Sequence, residues 1–228
     1  MREIVFDTET TGLSFSAGDR LVEFGAIELI NRVPSGRRFH RYFNPERPMP
    51  PEAQAVHGLS DAFLADKPLF ADEVEALLDF LADSPLIAHN AGFDFGFMNG
   101  ELGRLSLAPL PRARMIDTLE LARVRHPGAK HTLDALCTRY GIDRSHRVLH
   151  GALLDAELLA QVYVELTGGR QIGLGLADQA PDPVVAVVEA APDRPVRAPR
   201  HFAPSDAERA AHAKFLETIT APLWFADG

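Results

Sequence analysis

The stretch REIVFDTETTG, from Arg2 to Gly12, constrains this chain more than any other. A strand-like apolar run ends in two acids, Asp7 and Glu9, separated by one threonine. Side chains on a strand alternate between faces, so these two carboxylates share one side at the strand's end. Like charges that close repel. A cation can sit between them, one acid can keep its proton, or the segment can bend so that both face water.

Beyond Gly12 the chain has the rhythm of an α/β domain. The runs REIVFD, RLVEFGAIELI and RRFHRYFNP are spaced as an antiparallel meander, and PLIAHN and RMIDT add two later strands. Helical periodicity appears in FADEVEALLDFLAD, with apolar positions at Val74, Leu77, Leu78 and Leu81. It returns in FDFGFMNGELGRL, TLELARVR, HTLDALCTRYG and HGALLDAELLAQVYVELTGG, the last closed by a Gly-Gly stop. Three strands, then strands alternating with helices, predict a mixed five-stranded sheet flanked by helices over residues 1–170. No internal repeat interrupts it.

Composition narrows the chemistry. At 228 residues and 46% hydrophobic, the chain can bury one sizeable core. No apolar run approaches the roughly 18 residues of a membrane helix, and Arg2 and Glu3 precede any signal-like core, so a cytoplasmic protein without membrane contact is expected. The single cysteine, Cys137, lies in an apolar helical run and reads as a buried thiol. Net charge is −9, from 32 acids against 23 bases. That balance argues against tight, sequence-independent grip on duplex DNA, which rests on phosphate neutralisation. A nucleic-acid substrate would have to be held largely by metal ions or by a partner protein.

Two further acids bear on the repulsion between Asp7 and Glu9. HNAGFDFGFM sets Asp94 in the first turn of a helix after the strand PLIAHN, near Asp7 and Glu9 if the two strands are neighbours. In HGALLDAELLAQVYVE, Asp155 lies beside the aliphatic stripe Leu154, Leu158 and Val162 and so faces inward. Four acids converging would be strongly unfavourable without cations. Two divalent ions with hard oxygen ligands, Mg²⁺ or Mn²⁺, answer the repulsion and can grip both oxygens of a phosphoryl displacement. His150, in the loop before that last helix, suits a general base. On this reading the loss of one acid, Asp155 for instance, leaves the metal-free fold intact or more heat-stable.

In this order, FDTETTG, HNAGFDFGFM and HGALLDA resemble the three motifs of the DEDDh 3′–5′ exonucleases, over residues 1 to about 170. PEAQAVHGLSDAFL resembles the segment between the first two motifs in the proofreading subunits of bacterial DNA polymerase III. The resemblance implies a ribonuclease-H-like fold and release of 3′-terminal nucleotides as 5′-monophosphates from a single-stranded 3′ end of DNA. It implies Asp7, Glu9, Asp94 and Asp155 as metal ligands for two Mg²⁺ or Mn²⁺ ions, Asp7 bridging both, and His150 as the base. Glu52 and His57 match residues that contact the terminal nucleotide, as Asp7, Glu9 and Asp155 do through the metals. Relatives that act alone on RNA or oligonucleotides, and a catalytically silent adaptor, are the alternatives.

Composition changes after Gly169. QIGLGL resembles a clamp-binding peptide, with Gln171, Leu174 and Leu176 as its anchors and Leu176 in place of the usual aromatic. Residues 177–199 carry five prolines and six alanines and read as a flexible, semi-extended linker of roughly 25–70 Å. In residues 200–228, PSDAERAAHAKFLETI has Ser205 as a helix cap. This tail resembles the segment that docks such a subunit on the polymerase catalytic (alpha) subunit. The sliding clamp and a small accessory subunit complete the partners the resemblance brings in. Tethering, which raises local concentration to about the millimolar range, reconciles an acidic chain with a DNA substrate.

Overall fold

The computed structural model describes residues 1–147, 149–169 and 203–219. The expected clamp peptide, with Gln171, Leu174 and Leu176, the linker 177–199, and the tail's two ends at 200–202 and 220–228 lie outside the described residues. The chain divides into two units, residues 1–175 and 176–228.

Five strands form one sheet in the order β3-β2-β1-β4-β5: β1 (Arg2–Thr10), β2 (Leu21–Ile30), β3 (Val33–Tyr42), β4 (Leu86–Ala88) and β5 (Met115–Asp117). The first three are the antiparallel meander, while β4 and β5 run parallel to β1. One boundary departs from expectation, since β3 begins at Val33 rather than Arg37. The hairpin turns on Asn31 and Arg32, both at positive φ (51° and 65°), the conformation a two-residue reversal requires. Arginine in the place usually taken by glycine hid that turn. Pro34 is tolerated because β3 is an edge strand.

Helices cover both faces. On one face α3 (Phe70–Leu81) and α4 (Gly92–Arg104) pack an aromatic-rich core against Ile4, Phe6 and Phe24. On the other, α7 (Ala152–Leu166) sets Leu159 and Tyr163 against Val5, Ile27 and Ile87. Thus even positions of β1 face α3 and α4, and odd positions face α7, as strand alternation demands. Two short helices, α1 (Pro51–His57) and α2 (Asp61–Leu64), follow the meander. Next to α7 lie α5 (Thr118–Arg125) and α6 (Leu133–Tyr140), which bury Cys137. A buried ion pair, Arg20 Nε to Glu101 Oε1 at 2.7 Å, ties α4 to the start of β2.

In the second unit, α8 (Asp206–Leu216) begins at Ser205, whose hydroxyl accepts from Glu208 N while Glu208 accepts from Ser205 N. This is the capping box expected of Ser-x-x-Glu. Among the described residues no helix is long and apolar enough to cross a membrane.

Candidate active site at the strand ends

The odd positions of β1 that pack on α7 at Val5 continue as Asp7 and Glu9, which therefore emerge toward the first turn of α7. Asp155 stands in that turn, 3% exposed. Gly25 makes the approach possible. It pairs across the sheet with Asp7, and a Cβ there would lie 2.1 Å from the Leu153 backbone nitrogen. The helix backbone thus occupies the space where a side chain would stand.

Asp94 arrives from the sheet's other side. The chain leaves β4 through Asn90, held at φ 62° with its N–H donated to Asp117, and turns directly into α4. Asp94, 3% exposed, then sits over the strand ends, where the Thr8 hydroxyl donates to its Oδ1 at 2.7 Å. One strand therefore contributes twice, with Thr8 orienting Asp94 and its two neighbours Asp7 and Glu9 supplying carboxylates.

The electrostatic outcome is the one that the Asp7-Thr8-Glu9 stretch anticipates. Burial pushes Asp7 well above the usual carboxylate range, and Asp94, Glu9, Asp155 and Glu23 push it further. Glu9 is pushed up to about 8 by burial and then by Glu23 and Asp155. Asp94 is pushed up to about 7, chiefly by burial, against the stabilising Thr8 hydrogen bond. Without cations the cluster holds protons at neutral pH. Glu9, His150 and Asp155 each present a ligand atom within 4.8 Å of the other two. A set of hard carboxylate oxygens that cannot all ionise unaided fits divalent cations such as Mg²⁺ or Mn²⁺.

His150 lies in the loop before α7, as its spacing from Asp155 requires, and is half exposed, with Nδ1 3.4 Å from Asp155 Oδ2. Its backbone N–H donates to the Val56 carbonyl, which brings α1 to the site's edge. The two α1 candidates differ. Glu52 is exposed in the first turn, whereas His57 is 6% exposed, with Nδ1 accepting from Leu59 N. Its Nε2 is buried without a well-formed hydrogen bond, and burial lowers its pKa. Phe93 is half-buried against Phe97, their ring centroids 4.9 Å apart. A cleft of about 690 Å³ opens beside Asp7, His150 and Asp155 and extends past His89 and Arg123. A cleft of similar size between β3 and α7, about 710 Å³, holds none of these residues.

Besides Thr8, two participants were not anticipated. Glu23 is a fifth acid at the site, 3% exposed, paired across the sheet with Glu9 and hydrogen-bonded to His40 Nε2 at 2.7 Å. Its signal was present, since an acid inside the apolar run RLVEFGAIELI had to find partners. Arg147 is the other: its guanidinium forks both oxygens of Asp155 at 2.5 and 2.7 Å. Nothing in the periodicity around it marks that role.

These shifts fix a pH dependence. A group whose folded pKa is raised binds more protons in the native than in the unfolded state, so stability falls as pH climbs through the folded value. The lowered imidazoles of His57 and His89 act with opposite sign, but only below about 6.5, where the unfolded rings take up protons. Between about pH 6.5 and 8.5 the acid cluster dominates, and the Cys137 thiol, raised by burial, adds the same sign only toward the upper end. The Tm of the chelator-treated chain should fall by several degrees across that window, and saturating Mg²⁺ should flatten the slope. A metal-free Tm that holds steady or rises there refutes the protonated cluster.

Comparison with known proteins agrees with this geometry. The exonuclease family model matches residues 4–163. The chain is 48% identical over 222 residues to DNA polymerase III subunit epsilon of Rickettsia felis, covering 96% of this chain and 97% of the relative. Among solved structures, Exonuclease X in complex with 5′ overhanging duplex DNA is 29% identical, with a TM-score of 0.54 over 73% of this chain and 90% of that one. The nuclease domain of 3′hExo, a DEDDh family member bound to rAMP, shares the fold at 17% identity, with a TM-score of 0.64 over 73% of this chain and 91% of its own. The sheet is thus the ribonuclease-H-like sheet of these nucleases, and the chain belongs to the exonuclease family.

Proposed function

We propose that this chain is a 3′–5′ DNA exonuclease that proofreads for the replicative polymerase, the complex named in relatives called DNA polymerase III subunit epsilon. The observation that carries the reading is the convergence of Glu9, His150 and Asp155 within 4.8 Å, in a cluster where burial also raises Asp7 and Asp94. Asp7, Glu9, Asp94 and Asp155 would hold two Mg²⁺ or Mn²⁺ ions. When bound, such ions neutralise charge on the phosphodiester and lower the barrier to its displacement.

The residues of the chain do the rest. His150 takes the proton of the attacking water as the new P–O bond forms. The bond from phosphorus to the 3′ oxygen breaks, the 3′ oxygen takes a proton from solvent, and a 5′-monophosphate leaves. Thr8 fixes the orientation of Asp94. Glu52 and His57, at the edge that α1 shares with His150, would bind the terminal nucleotide.

A 5′-labelled primer tests this directly. With Mg²⁺ it should shorten from its 3′ end in single-nucleotide steps, and with chelator it should stay intact. His150→Gln should lower turnover about a hundredfold or more while KM changes little. Shortening in chelator, or equal losses in turnover and binding, would defeat the assignment.

The domain reading extends this. Residues 1–170 form the nuclease, 171–176 a clamp-binding peptide, 177–199 a linker and 200–228 the dock on the polymerase catalytic subunit. The capped and exposed α8 supports a docking role for the last segment. A chain ending at Gly169 should keep nuclease activity and lose co-elution with the catalytic subunit. Retained co-elution would remove the docking role.

A further inference from the structure

Arg147 makes polar contacts with three residues of the cluster, and every partner matters to the chemistry or to its wall. Nε and Nη2 donate to Asp155 Oδ1 and Oδ2 at 2.5 and 2.7 Å. Nη1 donates to Asp134 Oδ1 at 2.7 Å, and Nη2 also donates to His150 Nδ1 at 2.9 Å. The Arg147 side chain is 9% exposed and that of Asp155 4%. A bidentate fork of this kind is the strongest pairing that a planar guanidinium and a carboxylate form.

We propose that Arg147 is a resident counter-ion, which holds Asp155 and His150 in the metal-free chain and must release both before a divalent cation can use Asp155. The inference rests on the reading of Asp155 as a metal ligand. The fork sets a positive charge against both Asp155 oxygens, so a divalent cation approaching that acid meets like charge and competes with the guanidinium. A largely buried cation leaving a buried carboxylate needs somewhere to go, and the geometry supplies it. Asp134 lines the same cleft and already binds Nη1, so the guanidinium can let go of Asp155 without losing its second acid.

The contact with His150 makes release a condition for chemistry as well as for binding. Nη2 lies 2.9 Å from Nδ1 and 3.4 Å from Nε2, and the ring nitrogen that accepts from it has its lone pair committed. While the fork is closed, that lone pair is not free to take a proton from water. One side chain thus neutralises a buried acid and engages the base, and the same displacement frees both. In this role Arg147 is a positioning residue, acting through Asp155 and His150 and not on the substrate.

The test is calorimetric titration of the chelator-treated full chain with Mn²⁺ alone. Arg147→Gln should bind Mn²⁺ about tenfold more tightly than the unaltered chain, because no guanidinium competes for Asp155. Its metal-free Tm should be lower, because a buried carboxylate has lost its partner. Arg147→Lys, which keeps the charge but cannot fork, should fold and bind Mn²⁺ with intermediate affinity, so it carries the test if the glutamine variant does not fold. The Nε–H resonance of Arg147 should shift on addition of Mg²⁺. Unchanged or weaker Mn²⁺ binding in both variants, or an Nε–H signal that saturating Mg²⁺ leaves in place, overturns the proposal. Asp155→Asn separates the two layers: if it binds Mn²⁺ like the unaltered chain, the ligand reading is what failed.

Discussion

Replacing Asp7 with asparagine should cut nucleotide release about a thousandfold and, in the same protein, raise the Tm measured in chelator. The two effects have one cause. Asp7 lies at the centre of the cluster, pushed upward by burial and then by Asp94, Glu9, Asp155 and Glu23. An amide of the same shape is neutral at every pH, so it avoids the cost that Asp7 incurs on folding at neutral pH, where its buried carboxyl must take up a proton. Relief of about 1–2 kcal/mol corresponds to a rise of roughly 2–8 °C for a chain of this size. The loss of rate comes from removing a carboxylate proposed to hold the cations, at about 4 kcal/mol of barrier. Differential scanning calorimetry in chelator and primer shortening in Mg²⁺ measure the two arms. A variant that still releases nucleotides, or whose metal-free Tm drops, would contradict the arrangement. Asp155 offers the contrast. Charge counting alone expected its removal to leave the metal-free fold intact or steadier, but its carboxylate is the one the Arg147 fork already satisfies. Stabilisation by charge removal is therefore expected at Asp7 and not at Asp155.

That contrast marks how much of the site could be read in advance. Asp7 and Glu9 were legible as a pair because strand periodicity is local and strict, and Asp94 because a strand running into a helix fixes where the first turn points. The spacing of His150 from Asp155 placed one in a loop and the other in a helix, and both are found there. The hidden part depends on contacts across the chain. Glu23 becomes a partner of Glu9 only through the pairing of β1 with β2. Thr8 matters because its hydroxyl meets an acid 86 positions away. Arg147 sits in a segment without periodicity, and its importance comes from the two acids that loop and helix geometry bring to it. The early start of β3 was obscured for a local reason, an Asn-Arg turn that carries no glycine.

Gly25→Ala should be among the most damaging single-methyl additions the chain can suffer, in stability and in turnover together. The new Cβ would stand 2.1 Å from Leu153 N and 2.4 Å from the Ala152 carbonyl carbon. Both are backbone atoms at the start of α7, so no side-chain rotation relieves the overlap. Either β2 bends or the helix moves away, at a cost of about 3 kcal/mol, the upper end for overpacking. If the helix moves, Asp155 moves with it, two residues along from Leu153, while Asp7, directly across from Gly25, stays with the sheet. A displacement near 1 Å between groups that must act together costs about a hundredfold in rate. Mn²⁺ affinity should fall in parallel, since ligands from β1 and α7 no longer meet at their native spacing. The same substitution at exposed Gly103, where an added Cβ meets nothing within 4 Å, should be neutral or stabilising by up to about 1 kcal/mol. If Gly25→Ala keeps native turnover and metal affinity, the seating of α7 on that glycine is not what sets the distance between the acids.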